Sequence, residues 1–218
     1  MDRFETMRAA MIDNQLRPTG VNDPRVLAAF AEIERERFVP EKLRGIAYLD
    51  DNLEVAPGRY MLDPLVFGNL VNRAEFDPSD KVLLIGLGTG YEAAVIAQLV
   101  DRVIGVEPHA GLAAQARAAL ANTKVTNVTV VEAALGHGAP EFAPFDALFL
   151  NGAAELLPQI LVDQLRDGGR FAGVTVDDMG LTRGVSGAKS AGVIGTTAFL
   201  DAGVPRLPGL ERPRAFRF

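Results

Sequence analysis

The sequence contains no cysteine and no tryptophan, only two histidines (His109, His137) and only three serines (Ser79, Ser186, Ser190). Without cysteine there can be no disulfide, zinc–thiolate site, iron–sulfur cluster or thiol nucleophile. The two histidines stand alone, with no second ligand at metal spacing, so no metal is expected. None of the serines sits in a G-x-S-x-G elbow, which argues against a serine hydrolase. Long hydrophobic runs are missing as well: nothing approaches the roughly 18–20 apolar residues of a spanning helix. The start, Met1-Asp2-Arg3-Phe4-Glu5, lacks the apolar core of a signal peptide. A cytoplasmic location is therefore expected.

What is present suits a globular protein. Of 218 residues, 48% are hydrophobic and 23% charged, enough for one large domain or one domain with an appendage. The 22 Lys and Arg fall short of the 28 Asp and Glu, leaving a net charge of −6. A nucleic-acid partner is not expected, because it would need a local basic patch against that background. The one stretch that leans basic is residues 203–218, with four Arg against one Glu. A polyanion site and a solvated chain end are both consistent with it, the second being the plainer reading.

Along the chain, residues 1–56 carry apolar positions at helical spacing: Met7, Met11 and Ile12, then Val26, Leu27, Phe30 and Ile33. Asn22-Asp23-Pro24 offers a helix cap followed by proline in the first turn. Pro57-Gly58 marks a break, so a helical extension over 1–56 and a main unit over 57–218 are expected, with a further helix over 64–76. From Lys81 the period changes. Val82-Leu83-Leu84-Ile85, Val103-Ile104-Gly105-Val106 and residues 128–131, 146–150 and 169–176 read as buried parallel strands. Helical patterns at 91–100, 109–121 and 156–165 separate most of them. Such alternation predicts an α/β fold with a doubly wound, mostly parallel sheet. The Gly- and Pro-rich end, with β-leaning pieces such as residues 193–199, is expected to add antiparallel edge strands.

The first of these strands runs into Gly86-Leu87-Gly88-Thr89-Gly90-Tyr91. Glycines there let a ligand approach the backbone, and the following helix offers free N–H groups. The dinucleotide fingerprint G-x-G-x-x-G would need glycine at Tyr91, so NAD is disfavoured. The second strand ends in Glu107, where doubly wound folds place an acid that holds ribose hydroxyls. An adenosine-bearing ligand fits both features; a tight strand-to-helix turn beside a surface carboxylate is the alternative. Gly184-Val185-Ser186-Gly187-Ala188-Lys189-Ser190 ends like a phosphate loop, but Ala188 precedes the lysine. It is read as a turn.

These residues resemble the protein-L-isoaspartate O-methyltransferase family, which uses S-adenosylmethionine. The resemblance covers about residues 7–176. It runs through Asp23-Pro24-Arg25-Val26-Leu27, Arg37-Phe38-Val39-Pro40, Ala47-Tyr48-Leu49-Asp50, the glycine loop, Val106-Glu107, Pro140-Glu141, Ala143-Pro144-Phe145-Asp146-Ala147, and Gln164-Leu165 leading to Gly168-Gly169-Arg170. It implies a Rossmann-like methyltransferase sheet, and methyl transfer to the α-carboxylate of L-isoaspartyl residues in peptides or proteins. It also implies a cofactor site at Gly86, Leu87, Gly88, Gly90, Glu107 and Ala134.

Three segments depart from the family pattern. The family's Gly-Gln-Thr-Ile-Ser-x-Pro aligns with Gly58-Arg59-Tyr60-Met61-Leu62-Asp63-Pro64, so Tyr60 and Leu62 stand where hydroxyls are usual. Leu84 replaces an acid in the first strand, and Ala134 replaces the aspartate that reads the adenine amino group. Glu132 lies nearby, either as a substitute for that aspartate or as a solvated carboxylate. Two expectations follow. Either the chain is an active methyltransferase in which Arg59 or Tyr60 holds the acceptor and Asp63 lies close by, or it is a non-catalytic relative acting as a binding or assembly module for an unknown protein partner.

Overall fold

The computed structural model describes residues 2–212. Helix α1 (Arg3–Met11) begins with a capping box between Asp2 and Glu5 and passes into a π-helical turn, Ile12–Leu16. Helix α2 (Pro24–Glu32) starts as its sequence predicts: the Asp23 carboxylate accepts from Arg25 N at 2.8 Å and Pro24 opens the first turn. Its buried stripe, Val26, Leu27, Ala29 and Phe30, faces the core. Strands β1 (Leu53–Ala56) and β2 (Arg59–Met61) form an antiparallel hairpin across Pro57-Gly58. Helix α3 (Pro64–Ala74) follows.

The main unit then alternates as β3 (Lys81–Ile85), α4 (Tyr91–Ile96), β4 (Arg102–Val106), α5 (Ala110–Asn122), β5 (Val128–Val131), β6 (Phe145–Ala154), α6 (Gln159–Gln164) and β7 (Leu165–Val176). Strands β8 (Thr182–Ser190) and β9 (Val193–Asp201) end the sheet. Its order is β5-β4-β3-β6-β7-β8-β9. Pairings from β5 to β7 are parallel, and β8 and β9 join antiparallel. The expected sheet and its edge strands are therefore present. Residues 184–190 are a correction: they lie inside β8, and the turn comes after them at Ala191-Gly192. The strand offers no free backbone N–H cradle, because Gly187 and Ala188 pair on both sides.

Both faces of the parallel strands are covered, which accounts for their continuous apolar runs. Val82, Leu84, Val103 and Phe149 point to one core, shared with Leu16, Phe30 and Phe67. Ring centroids of Phe30 and Phe67 lie 5.2 Å apart, and those of Phe67 and Phe149 lie 6.0 Å apart. The N-terminal helices thus pack into the same core as the sheet. Leu83, Ile85, Ile104, Leu148 and Leu150 point to the opposite core, with Leu161, Leu207 and Leu210.

Candidate cofactor crevice

Strand order reverses between β3 and β6. From β3 the chain proceeds to β4 and β5 on one side, and from β6 to β7 on the other. Open α/β sheets bind ligands in the crevice that this reversal creates beyond the carboxyl ends of the strands. Here the crevice is bordered by residues 86–90 after β3, by Glu107 after β4 and by Asn151 and Gly152 in β6.

Glu107 is fully buried. Its Oε2 accepts from Gly88 N at 2.8 Å and its Oε1 from His109 N at 3.1 Å, so the acid sits directly under the glycine loop. Arg59, reaching in from β2, donates through Nη1 to Oε1 and through Nη2 to Oε2, both at 2.8 Å. This fork-to-fork pair is strong and directional. Together the four bonds use the carboxylate's acceptor capacity. Arg59 is not a free or exposed cation available to an acceptor; its side chain is 7% exposed and committed to Glu107.

The C-terminal segment fills the rest. Ala153 N donates to Pro205 O at 2.9 Å, and Leu207 N donates to Ala153 O at 2.8 Å. Glu155 N and Leu156 N both donate to Leu210 O at 3.0 Å. Residues 205–210 thus run beside the end of β6 on the side that β3 has left, with Arg206 paired parallel to Ala153. A methyl group added to Gly86 would lie 2.8 Å from Leu207 Cδ2, and one added to Gly152 would lie 2.7 Å from Leu207 Cγ. Both glycines have positive φ, so they supply backbone shape as well as room. The room is taken by Leu207. Leu207 and Leu210 are 4% and 1% exposed, and burial of each contributes about 1.5–3 kcal/mol before chain entropy is counted. Salt bridges from Arg206 to Glu155 (2.9 Å) and from Arg212 to Asp178 (3.0 Å) fasten the outer side. Of the basic tail noted in the sequence, residues 213–218 lie outside the described residues.

The other predicted site residues scatter. Leu87 is fully buried and packs on Gly105, while Gly90 caps α4 and lies against Ala116. Tyr60 is half-buried and opposite Glu54 in the hairpin, on the other face from Arg59 and Met61. Leu62 and Leu84 are core residues, 1% and 0% exposed. Ala134 is exposed beside a short turn, and Glu132 is exposed in a 2.6 Å salt bridge with Arg117. Asp63, expected near the acceptor, caps α3 by accepting from Val66 N at 2.7 Å. Burial is the largest cause holding its carboxyl above the usual range, while the Val66 bond pulls the other way. Asp63→Ala should cost about 1 kcal/mol as a lost cap and Asp63→Asn only a few tenths, both read by chemical denaturation. A larger loss of methyl transfer than of stability in Asp63→Asn would return this residue to the site.

Sequence reasoning missed three buried polar residues, of which Asn151 borders this crevice. Asn151 donates through Nδ2 to Gly86 O at 2.8 Å, while its Oδ1 is buried without a partner. Glu92, one residue into α4, is 1% exposed and accepts from Leu62 N at 3.1 Å. Arg35 is fully buried, with its guanidinium 4.7 Å above the Tyr91 ring. A polar residue inside an apolar stretch, as with Asn151 after β6's Leu150, was the one readable signal among them.

Comparison with known proteins decides the family. The family model described as protein-L-isoaspartate(D-aspartate) O-methyltransferase matches residues 6–179. The chain belongs to this family. A protein-L-isoaspartate O-methyltransferase of Herpetosiphon aurantiacus is 39% identical over 78% of this chain and 76% of its own length. One from Synechococcus sp. is 37% identical over 90% of this chain and 80% of its own. A solved protein-L-isoaspartate O-methyltransferase superposes with a TM-score of 0.83 at 25% identity, covering 94% of this chain and 67% of that one.

Membership in this methyltransferase family raises the question of whether the crevice fits an adenosyl cofactor. In the conformation described it does not. The acid that would take ribose hydroxyls is saturated by Arg59, residues 86–90 are all buried, and Leu207 occupies the space beside Gly86 and Gly152.

Proposed function

We propose that this chain is an S-adenosylmethionine-dependent protein carboxyl methyltransferase acting on L-isoaspartyl residues of peptides and proteins. The observation that carries the reading is the family match across residues 6–179, which includes the glycine loop and Glu107. Relatives at 37–39% identity bear the same name, which weighs against the non-catalytic module. In this reading the cofactor is assigned to the crevice bordered by Gly86, Gly88 and Glu107, with Leu87 and Gly90 shaping the loop from its buried side and exposed Ala134 standing in the turn after β5.

The chemistry asks little of the side chains as acids or bases. A carboxylate acceptor is already anionic, so it needs orientation and exclusion of water more than a proton acceptor. A chain without cysteine and with three serines can meet that demand. No helix among the described residues is long and apolar enough to cross a membrane. A cytoplasmic location and a protein substrate belong to the same proposal.

The test is transfer of labelled methyl from S-adenosylmethionine, at up to millimolar concentration, to an isoaspartyl peptide and to its aspartyl counterpart. Label should enter the isoaspartyl peptide alone, as a base-labile ester. Equal labelling of both peptides would overturn the assigned acceptor, and no labelling of any protein or peptide carboxylate would overturn the activity.

A further inference from the structure

We propose that the outer edge of β9 is a self-association surface, on which a second copy of this chain adds its own β9 antiparallel and joins the two sheets across a two-fold axis. Strands β7 and β8 separate this edge from the crevice between β3 and β6, so pairing there is independent of methyl transfer.

The sheet has two edges, and they differ. Edge β5 is four residues long and is closed by a side chain: Arg117, held by Glu132 at 2.6 Å, donates through Nη2 to Val130 O at 3.1 Å. Edge β9 is nine residues long, and its alternate peptide groups turn away from β8. Among the described residues, the nearest side-chain bonds reach Gly192 O and Ala202 O, just beyond its two ends, and none reaches the strand itself. From Ser190 to Leu200 there is no charge and no proline, the devices that keep natural edges apart. One bulge, opposite Gly184-Val185, lies near the end and leaves 193–198 regular. The flanking charges are engaged within the chain: Lys189 donates to Leu165 O at 2.6 Å, and Asp201 pairs with Arg183.

The order of residues along β9 selects the occupant. Val193-Ile194 stand at one end, Phe199-Leu200 at the other, and Thr196-Thr197 between them. A two-fold axis at either threonine sets the β-branched end of one copy beside the aromatic end of the other, a favourable cross-strand combination. Val193, 63% exposed in the single chain, is then covered. Two copies of a chain with net charge −6 repel one another, and an uncharged strip is where they approach with least repulsion.

The experiment is sedimentation velocity on the full chain across protein concentration, with wild type and Thr196→Lys. A single strand pairing is small as interfaces go, so wild type should show a monomer–dimer equilibrium with a Kd of roughly micromolar to a hundred micromolar. Thr196 is exposed, and lysine there puts like charges across the axis, which should weaken the dimer by about tenfold or more. The absence of cysteine supplies a second measurement. Facing residues of an antiparallel pair lie about 4.5–5.5 Å apart, within disulfide reach. Thr196→Cys or Thr197→Cys, whichever lies on the axis, should oxidise to a linked dimer, whereas Thr129→Cys on β5 should stay monomeric. A wild type that stays monomeric up to about 1 mM, a dimer equally tight in Thr196→Lys, or linkage at neither β9 cysteine would overturn the proposal. Open-ended assemblies would overturn it too, because a two-fold pairing of β9 leaves only the closed β5 edges outermost. Should the lysine variant fail to fold, the cysteine variants still decide.

Discussion

Glu107→Ala is expected to lower folding stability by about 3–5 kcal/mol, read as a reduced midpoint in a denaturant titration. The substitution strands the Arg59 guanidinium in a site where it is 7% exposed and removes the acceptor of both Gly88 N and His109 N. Breaking a buried pair costs more than the pair itself contributes, because one charge is left without compensation. Arg59→Met with Glu107→Ala should therefore be more stable than Glu107→Ala alone. Recovery should be partial, since the two backbone N–H groups remain without a protein acceptor. The same measurement reports the resting state of the crevice. If the molecule spent most of its time open, Glu107 would face water and its removal would cost less than about 1 kcal/mol, as for an exposed pair.

That pair also marks where sequence reading reaches its limit. Strands β3, β4 and β6 were legible because parallel strands buried on both faces must be continuously apolar, as Val82-Leu83-Leu84-Ile85 is. The glycine loop and Glu107 were legible because a strand, a turn and the next strand's end fix their relative position with no knowledge of the remaining fold. Arg59 could be read only as a long cation near the site. Its partner lies 48 positions away, and burial of an arginine depends on finding that partner.

Leu207 was hidden for a different reason. A Gly- and Pro-rich segment has no helical or strand period to read, and its burial comes from long-range packing on the core of Ile85 and Leu150 and from backbone bonds to Ala153, Glu155 and Leu156. Asp63 was in principle readable. Asp63-Pro64 repeats the pattern of Asp23-Pro24, where an aspartate cap before proline was recognised, and both aspartates cap their helices. Alignment to the family's hydroxyl-bearing segment points to acceptor chemistry at Asp63, whereas the helix rule that explains Asp23 makes it a cap, and the cap is what the structure shows. Residues 184–190 show the reverse error: glycines suggested a turn, but small residues here pair between β7 and β9.

The second large effect is expected at Arg35, a residue whose burial no local pattern announces. It donates through Nε to Ala47 O at 2.6 Å and through Nη2 to Leu62 O at 2.5 Å, and it stacks on Tyr91. One side chain thus ties the segment after α2 to the approach of α3 and to the first turn of α4. Arg35→Met should cost about 3–5 kcal/mol, through two buried carbonyls left unpaired and a lost cation–π contact. It should also change how stability depends on pH. Burial holds the Glu92 carboxyl above its usual range, and the Arg35 charge is the largest influence pulling it down. A carboxyl whose pKa is raised by folding contributes stability that is fully present below the unfolded carboxylate value. That stability is lost as pH rises through the folded value. Removing Arg35 moves the folded value further up, so the loss between mildly acidic and neutral pH should be steeper than in wild type. Adding Glu92→Gln should flatten that slope while keeping an acceptor for Leu62 N, and should recover about 1–2 kcal/mol at neutral pH as the coupling between the two sites. Parallel pH profiles for wild type and Arg35→Met would show that the two buried charges do not interact.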